Sequence, residues 1–224
     1  MKPVAHGAVF TRTPSRDLSS RVAVASLAAL ALLLAPGAVR APAQGGAPRP
    51  TWQVGDTWTY QVTTPAARDQ PVQLVDRVLR RFPLDRGYEM ISLGFTVAVD
   101  ADLGIFHFKR GETIETFSPP VRVFVWPLEN GRRWEARSNA TVMARGRGQD
   151  TIQVFRAFSV EREETVTVPA GAFLAYKVVE RDEKGILREE SWYAPSVKWY
   201  ARRVLYTAQG REEARAELSA FALH

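Results

Sequence analysis

Residues 168–178 read VPAGAFLAYKV, a stretch in which strand-like alternation is interrupted near its start by Pro169 and Gly171. Proline has no N–H to give to a strand ladder, and glycine tolerates the backbone conformations that a tight turn requires. The stretch therefore predicts a hairpin corner, with one strand ending at Val168 and the next starting at Phe173. It contains no acid and one lysine without a neighbouring base, so it indicates a bend and not a reactive site.

The strand after this corner has two faces, because successive side chains on a strand point in opposite directions. Leu174, Tyr176 and Val178 share one face and form the more apolar set. We therefore expect these three side chains to face the core.

Similar period-two runs recur from Trp52 to the end of the chain. They are short, rich in Val, Thr and aromatic residues, and separated by Gly, Pro, Asp or Asn, which is typical of antiparallel β-structure. About ten such runs leave little chain for covering helices, so the sheet has to bury one face by curling or closing. The sequence predicts an all-β fold, a strongly curved antiparallel sheet or an incomplete β-barrel of about ten strands.

The last segment, residues 211–221, admits two interpretations. Its Glu, Arg and Ala residues are good helix formers and allow a short C-terminal helix. Ala214, Ala216, Leu218 and Ala220 alternate with charged or polar residues, which favours a closing strand.

The first 43 residues are typical of a secretory signal peptide. Basic residues precede an apolar run at 22–35, and Ala41-Pro42-Ala43 offers small residues at the spacing of a cleavage site. The run has fourteen residues, fewer than the ~20 that span a bilayer, so we expect cleavage and no stable transmembrane segment afterwards. The chain has no cysteine and thus no site for a lipid anchor. These features predict export to the periplasm or the extracellular space.

The remaining chain divides into a linker and one domain. Residues 44–51 are rich in Pro, Gly and Ala and are expected to form a flexible linker. Residues 52–224 have the length of a single antiparallel β domain with its own core. Because the chain has no cysteine, the domain has to be stabilised without disulfides, by burial and sheet hydrogen bonds.

The charge balance argues against nucleic acid as a partner. The first 43 residues hold five of the 30 Lys and Arg and one of the 24 Asp and Glu, so 25 basic and 23 acidic side chains follow. A nucleic-acid-binding domain is expected to show a concentrated basic patch or stripe. The nearly balanced charge of residues 44–224 predicts no nucleic-acid binding.

The residues that usually carry catalysis are scarce. After residue 43 the only histidines are His107 and His224, and the sequence has neither a G-x-S-x-G nor an H-E-x-x-H motif. The acidic stretch Asp100–Gly104 superficially resembles a calcium loop, but its twelfth position is Gly111, where such a loop has glutamate. We interpret it as a hairpin turn. The sequence predicts no catalytic residue, no metal site, no cofactor and no enzymatic activity.

Two aromatic pairs, Trp192-Tyr193 and Trp199-Tyr200, are the candidate site residues. Adjacent residues on a strand point to opposite faces, so the four rings cannot all enter one core. Trp192, Tyr193, Trp199 and Tyr200 are therefore the candidates for a surface that contacts a ligand or a partner.

Three sequence blocks resemble a known group of proteins. The blocks are G-x-x-W at residues 55–58 and 131–134, V-P-A-G-x-F at 168–173, and W-Y-A-P-x-V-K at 192–198. In the G-x-x-W blocks, the glycine suits a tight turn and the tryptophan suits a core anchor. Taken in this order, the blocks resemble exported bacterial proteins of unknown function that are grouped under a numbered domain of unknown function and described as periplasmic or lipoprotein-like. The resemblance extends from Trp52 to Arg203 and brings no catalytic residues.

Three functions are compatible with these features. The first is a non-catalytic secreted or periplasmic envelope protein that binds a lipid-like or other apolar or amphiphilic ligand in a concave sheet. The second is a structural or interaction module that binds an envelope protein through a sheet edge or an exposed Trp/Tyr surface. The third is a carboxylate-dependent hydrolase of the envelope.

Overall fold

Twelve β-strands account for most of the residues that the structure, a computed structural model, describes, which are 45–68, 70–144 and 147–224. The strands are β1 (Thr57–Thr63), β2 (Val72–Arg81), β3 (Gly87–Ser92), β4 (Phe95–Asp100), β5 (Ile105–Arg110), β6 (Thr113–Val121), β7 (Arg133–Ala144), β8 (Arg147–Val168), β9 (Gly171–Arg181), β10 (Leu187–Ala194), β11 (Trp199–Tyr206) and β12 (Glu212–Ala222). Short 3-10 turns occupy Pro83–Asp85 and Pro195–Val197. No helix in these described ranges is long and apolar enough to cross a membrane.

The strands form a closed antiparallel barrel. Each strand pairs with its neighbours in sequence, and β1 also pairs with β12, from Thr57 opposite Ala222 to Thr63 opposite Arg215. The all-β prediction is confirmed. Closure by β12 removes the two open edges that an incomplete barrel would have.

The C-terminal segment is a strand, so the alternative of a short C-terminal helix is wrong. Residues 212–222 pair with β1 on one side and β11 on the other. Ala216 and Leu218, two members of the alternating apolar set, are buried. Pairing on both sides and burial of one face outweigh the helix propensity of the Glu and Ala residues.

The predicted corner at residues 168–173 lies between β8 and β9. β8 ends at Val168, as expected, and β9 begins at Gly171, whose φ of 129° belongs to the region that favours glycine. Tyr176 and Val178 are buried, but Leu174 is 45% exposed, so its assignment to the core is wrong. Leu174 lies on the same face of β9 as Tyr176 and Val178. It is close to the start of the strand, where the barrel interior no longer covers that face.

The segment at residues 47–49, which precedes β1, is held against the barrel. Ala47 and Leu128 exchange two backbone hydrogen bonds of 2.8 Å, and both residues are buried. Arg49 donates to the carbonyl of Ala101 at 2.8 Å. These contacts of Ala47 and Arg49 lie inside the stretch 44–51 that the sequence predicts to be a flexible linker. The predicted signal peptide, residues 1–43, lies outside the described residues.

Candidate ligand-binding site

Large aromatic rings fill one part of the barrel interior. Trp52, Trp58, Phe124, Tyr193 and Trp199, named here the aromatic cluster, are all buried. The ring centroids of Trp52 and Trp199 lie 4.8 Å apart, and those of Phe124 and Tyr193 lie 5.3 Å apart, both with edge-on geometry. These spacings are the ones that aromatic pairs prefer in protein cores.

The cluster also anchors the turn between β10 and β11. The indole N–H of Trp52 donates to the carbonyl of Lys198 at 2.9 Å, and that of Trp58 donates to Val197 at 2.7 Å. Gly55 has a φ of 98°, so the first G-x-x-W block is a glycine turn followed by a buried core anchor, as predicted. The cluster thus ties the start of the domain to the turn at residues 195–198.

A cavity of about 230 Å³ lies beside the aromatic cluster and has Trp199 on its wall. Its apolar wall comes mainly from β3, β4, β5 and β11. The apolar lining residues are Met90, Leu93, Phe95, Val97, Val99, Leu103, Ile105, Phe108, Val123, Phe158, Val178, Trp199, Tyr200 and Leu205. The polar lining residues are Ser92, Glu180, Glu189, Ser191 and Arg203. A mostly apolar wall with a few convergent polar groups is the usual composition of a small-molecule site.

A second pocket of about 220 Å³ adjoins this cavity. The two share Ile105, Phe108, Val123 and Glu180 on their walls. Three apolar side chains and one carboxyl group therefore separate the two spaces. The second pocket continues the apolar space past Glu180 toward β6.

Both glutamates of the cavity wall are held in ion pairs. Arg203 binds Glu189 in a bidentate manner, with Nε–Oε1 at 2.8 Å and Nη2–Oε2 at 2.9 Å. Arg156 Nε lies 2.7 Å from Glu180 Oε1. Burial, reinforced by the negative charge of Glu189, raises the pKa of Glu180 to about 7 in spite of the nearby arginines. Glu180 can therefore change its charge near neutral pH.

Asp76 is a third buried carboxyl group, and its role is structural. It accepts hydrogen bonds from Ser92 Oγ at 3.0 Å, from the backbone N–H of Leu93 at 2.7 Å and from Trp199 Nε1 at 2.9 Å. Burial raises the pKa of Asp76, and these three hydrogen bonds oppose that shift. Asp76 thus joins β2 to the β3–β4 turn and to the aromatic cluster.

The four aromatic residues proposed from the sequence are all buried. Trp192, Tyr193, Trp199 and Tyr200 expose between 1% and 8% of their area. The hypothesis of an exposed Trp/Tyr partner surface at these positions is therefore wrong. Trp199 and Tyr200 lie on the cavity wall, whereas Tyr193 belongs to the aromatic cluster.

Trp192 is buried without lining the cavity, because charged side chains cover it. Lys177 Nζ and Arg202 Cζ each lie 5.5 Å from the centre of its ring. Its indole N–H donates to Glu164 Oε1 at 2.7 Å. Both cationic groups lie at the distance of a cation–π contact with the ring, an arrangement that alternation alone does not reveal.

The charged residues of the cavity wall were not predicted from the sequence. Three different strands carry Glu180, Glu189 and Arg203. The sequence around residues 180–190 has the mixed charge that is typical of a solvent-exposed hairpin. One signal was present, since Arg203 alternates with Ala201 and Leu205 on the inward face of β11. A charge on an apolar face is the informative exception to burial rules.

The other candidate sites are parts of strands and turns. In the described ranges, no group of three or more His, Cys, Asp or Glu residues is placed to hold a metal ion. His107 lies in β5 opposite Ala98 and Thr116. Asp100 Oδ1 accepts the backbone N–H groups of Asp102 at 2.9 Å and Gly104 at 2.8 Å, so this acidic stretch is the predicted hairpin turn.

No protein-family model matches this chain, and no curated protein matches it. Three solved structures, each with a TM-score of 0.42, are similar to it. One, described as an exported protein with a YmcC-like fold from Bacteroides fragilis, is 18% identical, with 80% of this chain and 99% of that one covered. A protein described as a lipoprotein from Parabacteroides distasonis is 14% identical, with 80% and 100% covered.

The third is the hypothetical lipoprotein YmcC of Escherichia coli, which is 9% identical, with 76% of this chain and 86% of that one covered. Likeness at this level does not transfer a function or a site. The resemblance based on the three sequence blocks therefore stays a prediction.

Proposed function

We propose that this protein is a non-catalytic component of the bacterial envelope that binds a small apolar or amphiphilic molecule inside its barrel. The observation that carries the proposal is the cavity of about 230 Å³, with its apolar wall and two glutamates that are each held by an arginine. The signal-peptide features of residues 1–43 support the location.

The cavity wall has the chemistry expected of such a site. An apolar molecule placed there would remove the remaining surfaces of the half-buried Phe95, Ile105 and Phe108 from contact with water, which is the main driving force for binding. The charged groups lie together on β8–β11, so an amphiphile can orient its polar end toward them. Trp199 is fixed by its bond to Asp76, which keeps this part of the wall in place without a ligand.

A fluorescent apolar probe tests the proposal directly. N-phenyl-1-naphthylamine is expected to bind the protein with saturable fluorescence enhancement. Val97→Phe places a ring in the cavity and should abolish this binding. Val72→Phe is the matched control, because Val72 is 61% exposed on β2 and does not line the cavity.

The two variants distinguish binding inside the cavity from binding elsewhere on the protein. Equal probe binding by Val97→Phe and Val72→Phe would place the probe outside the cavity and contradict the proposal. If Val97→Phe does not fold, Val99→Phe on the same strand provides the second test. A failure of the unmodified protein to bind the probe at all would also contradict it.

Glu180 and Glu189 favour one second candidate, a carboxylate-dependent hydrolase. Two acidic side chains face one cavity, and one has a pKa raised to about 7, as a general acid requires. Both oxygens of Glu189, however, are bound by Arg203, which leaves that carboxylate poorly placed to act as a base or nucleophile. Turnover of p-nitrophenyl esters or glycosides that is lost in Glu180→Gln would favour the hydrolase over the binding protein.

A further inference from the structure

Arg203 directs part of its guanidinium group toward the cavity. Its Nε and Nη2 atoms are both used by Glu189. Within the described part of the chain, no hydrogen bond or ion pair to Nη1 is found. The side chain keeps 17% of its area accessible and is part of the cavity wall. Among the described residues no buried side-chain nitrogen or oxygen lacks a partner, so the unpaired Nη1 is accessible. The guanidinium also lies against the Tyr200 ring, 4.8 Å from its centre, which fixes its orientation.

The net charge of the wall depends on Glu180. Arg156 and Arg203 carry two positive charges, and Glu180 and Glu189 carry two negative charges when both are ionised. Protonation of Glu180 leaves one positive charge in excess and adds an O–H donor to the wall. Glu180 keeps 18% of its side chain accessible and lines both cavities, so this donor is available to a molecule inside.

Other charged groups around Glu180 come from several strands. Arg188 and Glu189 approach it from β10 and Arg203 from β11, while Arg156 binds it from β8. Glu115 of β6 lines the second pocket together with Glu180. Glu180 is the group among them whose pKa is raised to about 7, so its protonation changes the charge of the wall near neutral pH.

We infer that the cavity selects a small amphiphile with a single carboxylate, which accepts hydrogen bonds from Arg203 Nη1 and from protonated Glu180, and that its affinity falls as the pH rises through neutrality. This inference rests on the proposed function, since it names the ligand class of the same cavity. Because burial raises the pKa of Glu180 to about 7, the carboxyl group donates a hydrogen bond at pH 6 and repels a carboxylate at pH 8.

Three probes with the same alkyl chain test the head-group preference. Octanoate, octanol and octylamine compete with N-phenyl-1-naphthylamine for the protein at pH 6 and pH 8. We expect octanoate to bind most tightly at pH 6 and about tenfold more weakly at pH 8, since the protonated fraction of Glu180 falls about tenfold. Octanol should bind equally at both pH values.

Variants then assign the effect to Glu180. Glu180→Gln keeps a neutral hydrogen-bond donor at the wall, so octanoate should bind with the same affinity at pH 6 and pH 8. Glu183→Gln is the matched control, because Glu183 is exposed in the next turn and should keep the tenfold change of the unmodified protein. If Glu180→Gln does not fold, the difference between octanoate and octanol in the unmodified protein still decides the question.

The results distinguish this inference from the proposed function. Displacement by octanol and octanoate with equal affinity at both pH values would overturn the inference and leave the cavity as an apolar binding site. A pH effect that persists in Glu180→Gln would overturn the role of Glu180. If the fluorescent probe itself does not bind, the proposed function fails.

Discussion

The aromatic cluster and the cavity are neighbouring parts of one barrel interior, and they are packed in different ways. In the cluster, Trp52, Trp58 and Phe124 fill the space with rings and expose at most 1% of their area. Around the cavity, shorter side chains such as Val97 and Val99 leave room for about 230 Å³. Protein interiors are normally close-packed, so a cavity of this size is the exception in the same fold.

The polar groups of the two regions differ as well. The cluster satisfies its indole N–H groups with neutral backbone carbonyls and with Asp76. The cavity wall holds two arginine–glutamate pairs. Buried ion pairs are weak evidence for stability, because desolvation offsets most of their attraction. The difference indicates that the cluster stabilises the barrel, and it supports the binding role that we propose for the cavity.

The largest effect is expected from truncating the cluster. Trp58→Ala removes a fully buried ring and its hydrogen bond to Val197, so the free energy of unfolding should fall by about 3–5 kcal/mol. Urea unfolding followed by circular dichroism measures this loss. A loss below about 1 kcal/mol would show that the cluster is not the main support of the barrel.

The next effect concerns the pH dependence of stability. The folded-state pKa of Glu180 is about 7, above its ordinary value of 4.5, so the folded protein binds the proton more tightly than the unfolded chain. The resulting stability is fully present below pH 4.5 and is lost as the pH rises through 7, by about 3 kcal/mol in total. Glu180→Gln should therefore lose less stability than the unmodified protein between pH 5 and pH 8, as measured by urea unfolding. Parallel profiles for the two proteins would contradict the raised pKa.

A pair of matched valine truncations compares the two regions directly. Val160 is 1% exposed and does not line the cavity, so Val160→Ala should cost about 2 kcal/mol. Val97 lies on the cavity wall, where packing atoms are missing on one side, so Val97→Ala should cost about 1 kcal/mol. Both values come from urea unfolding under identical conditions. Equal losses would mean that Val97 is packed as tightly as Val160.

The smallest effect is expected on the outer surface. Arg80 and Glu89 form an ion pair at 2.8 Å, and the Arg80 side chain is 62% exposed. Arg80→Gln should change the free energy of unfolding by less than about 1 kcal/mol, because water screens such pairs. A larger loss, checked by the same unfolding assay, would show that surface pairs contribute as much as the cavity wall.

The sequence predicted the parts of this fold that depend on neighbouring residues. Alternation predicted an all-β fold of about ten strands, two fewer than the twelve of the barrel, and the G-x-x-W block located a glycine turn and the buried Trp58. Closure of β12 on β1 joins residues more than 150 positions apart, and local patterns do not encode such pairing. For the same reason, the contact of Ala47 with Leu128 was not visible in a segment rich in Pro, Gly and Ala.

The candidate site was harder to predict. Trp199 and Tyr200 were selected for their aromatic character, and they lie on the cavity wall. The charged part of that wall comes from four consecutive strands, β8 to β11, whose side chains meet only after the sheet has curved. A carboxyl group such as Glu180 cannot be distinguished in the sequence from the solvated charges of the hairpin that follows it.

Native mass spectrometry of the protein, extracted gently from the cell envelope, tests the central claim most directly. We predict an added mass of one small molecule on the unmodified protein, released on denaturation and absent from Val97→Phe purified in the same way. Two results would contradict the assignment of the cavity as the binding site. One is that Val97→Phe retains the same added mass; the other is that the unmodified protein carries no ligand and also fails to take up octanoate.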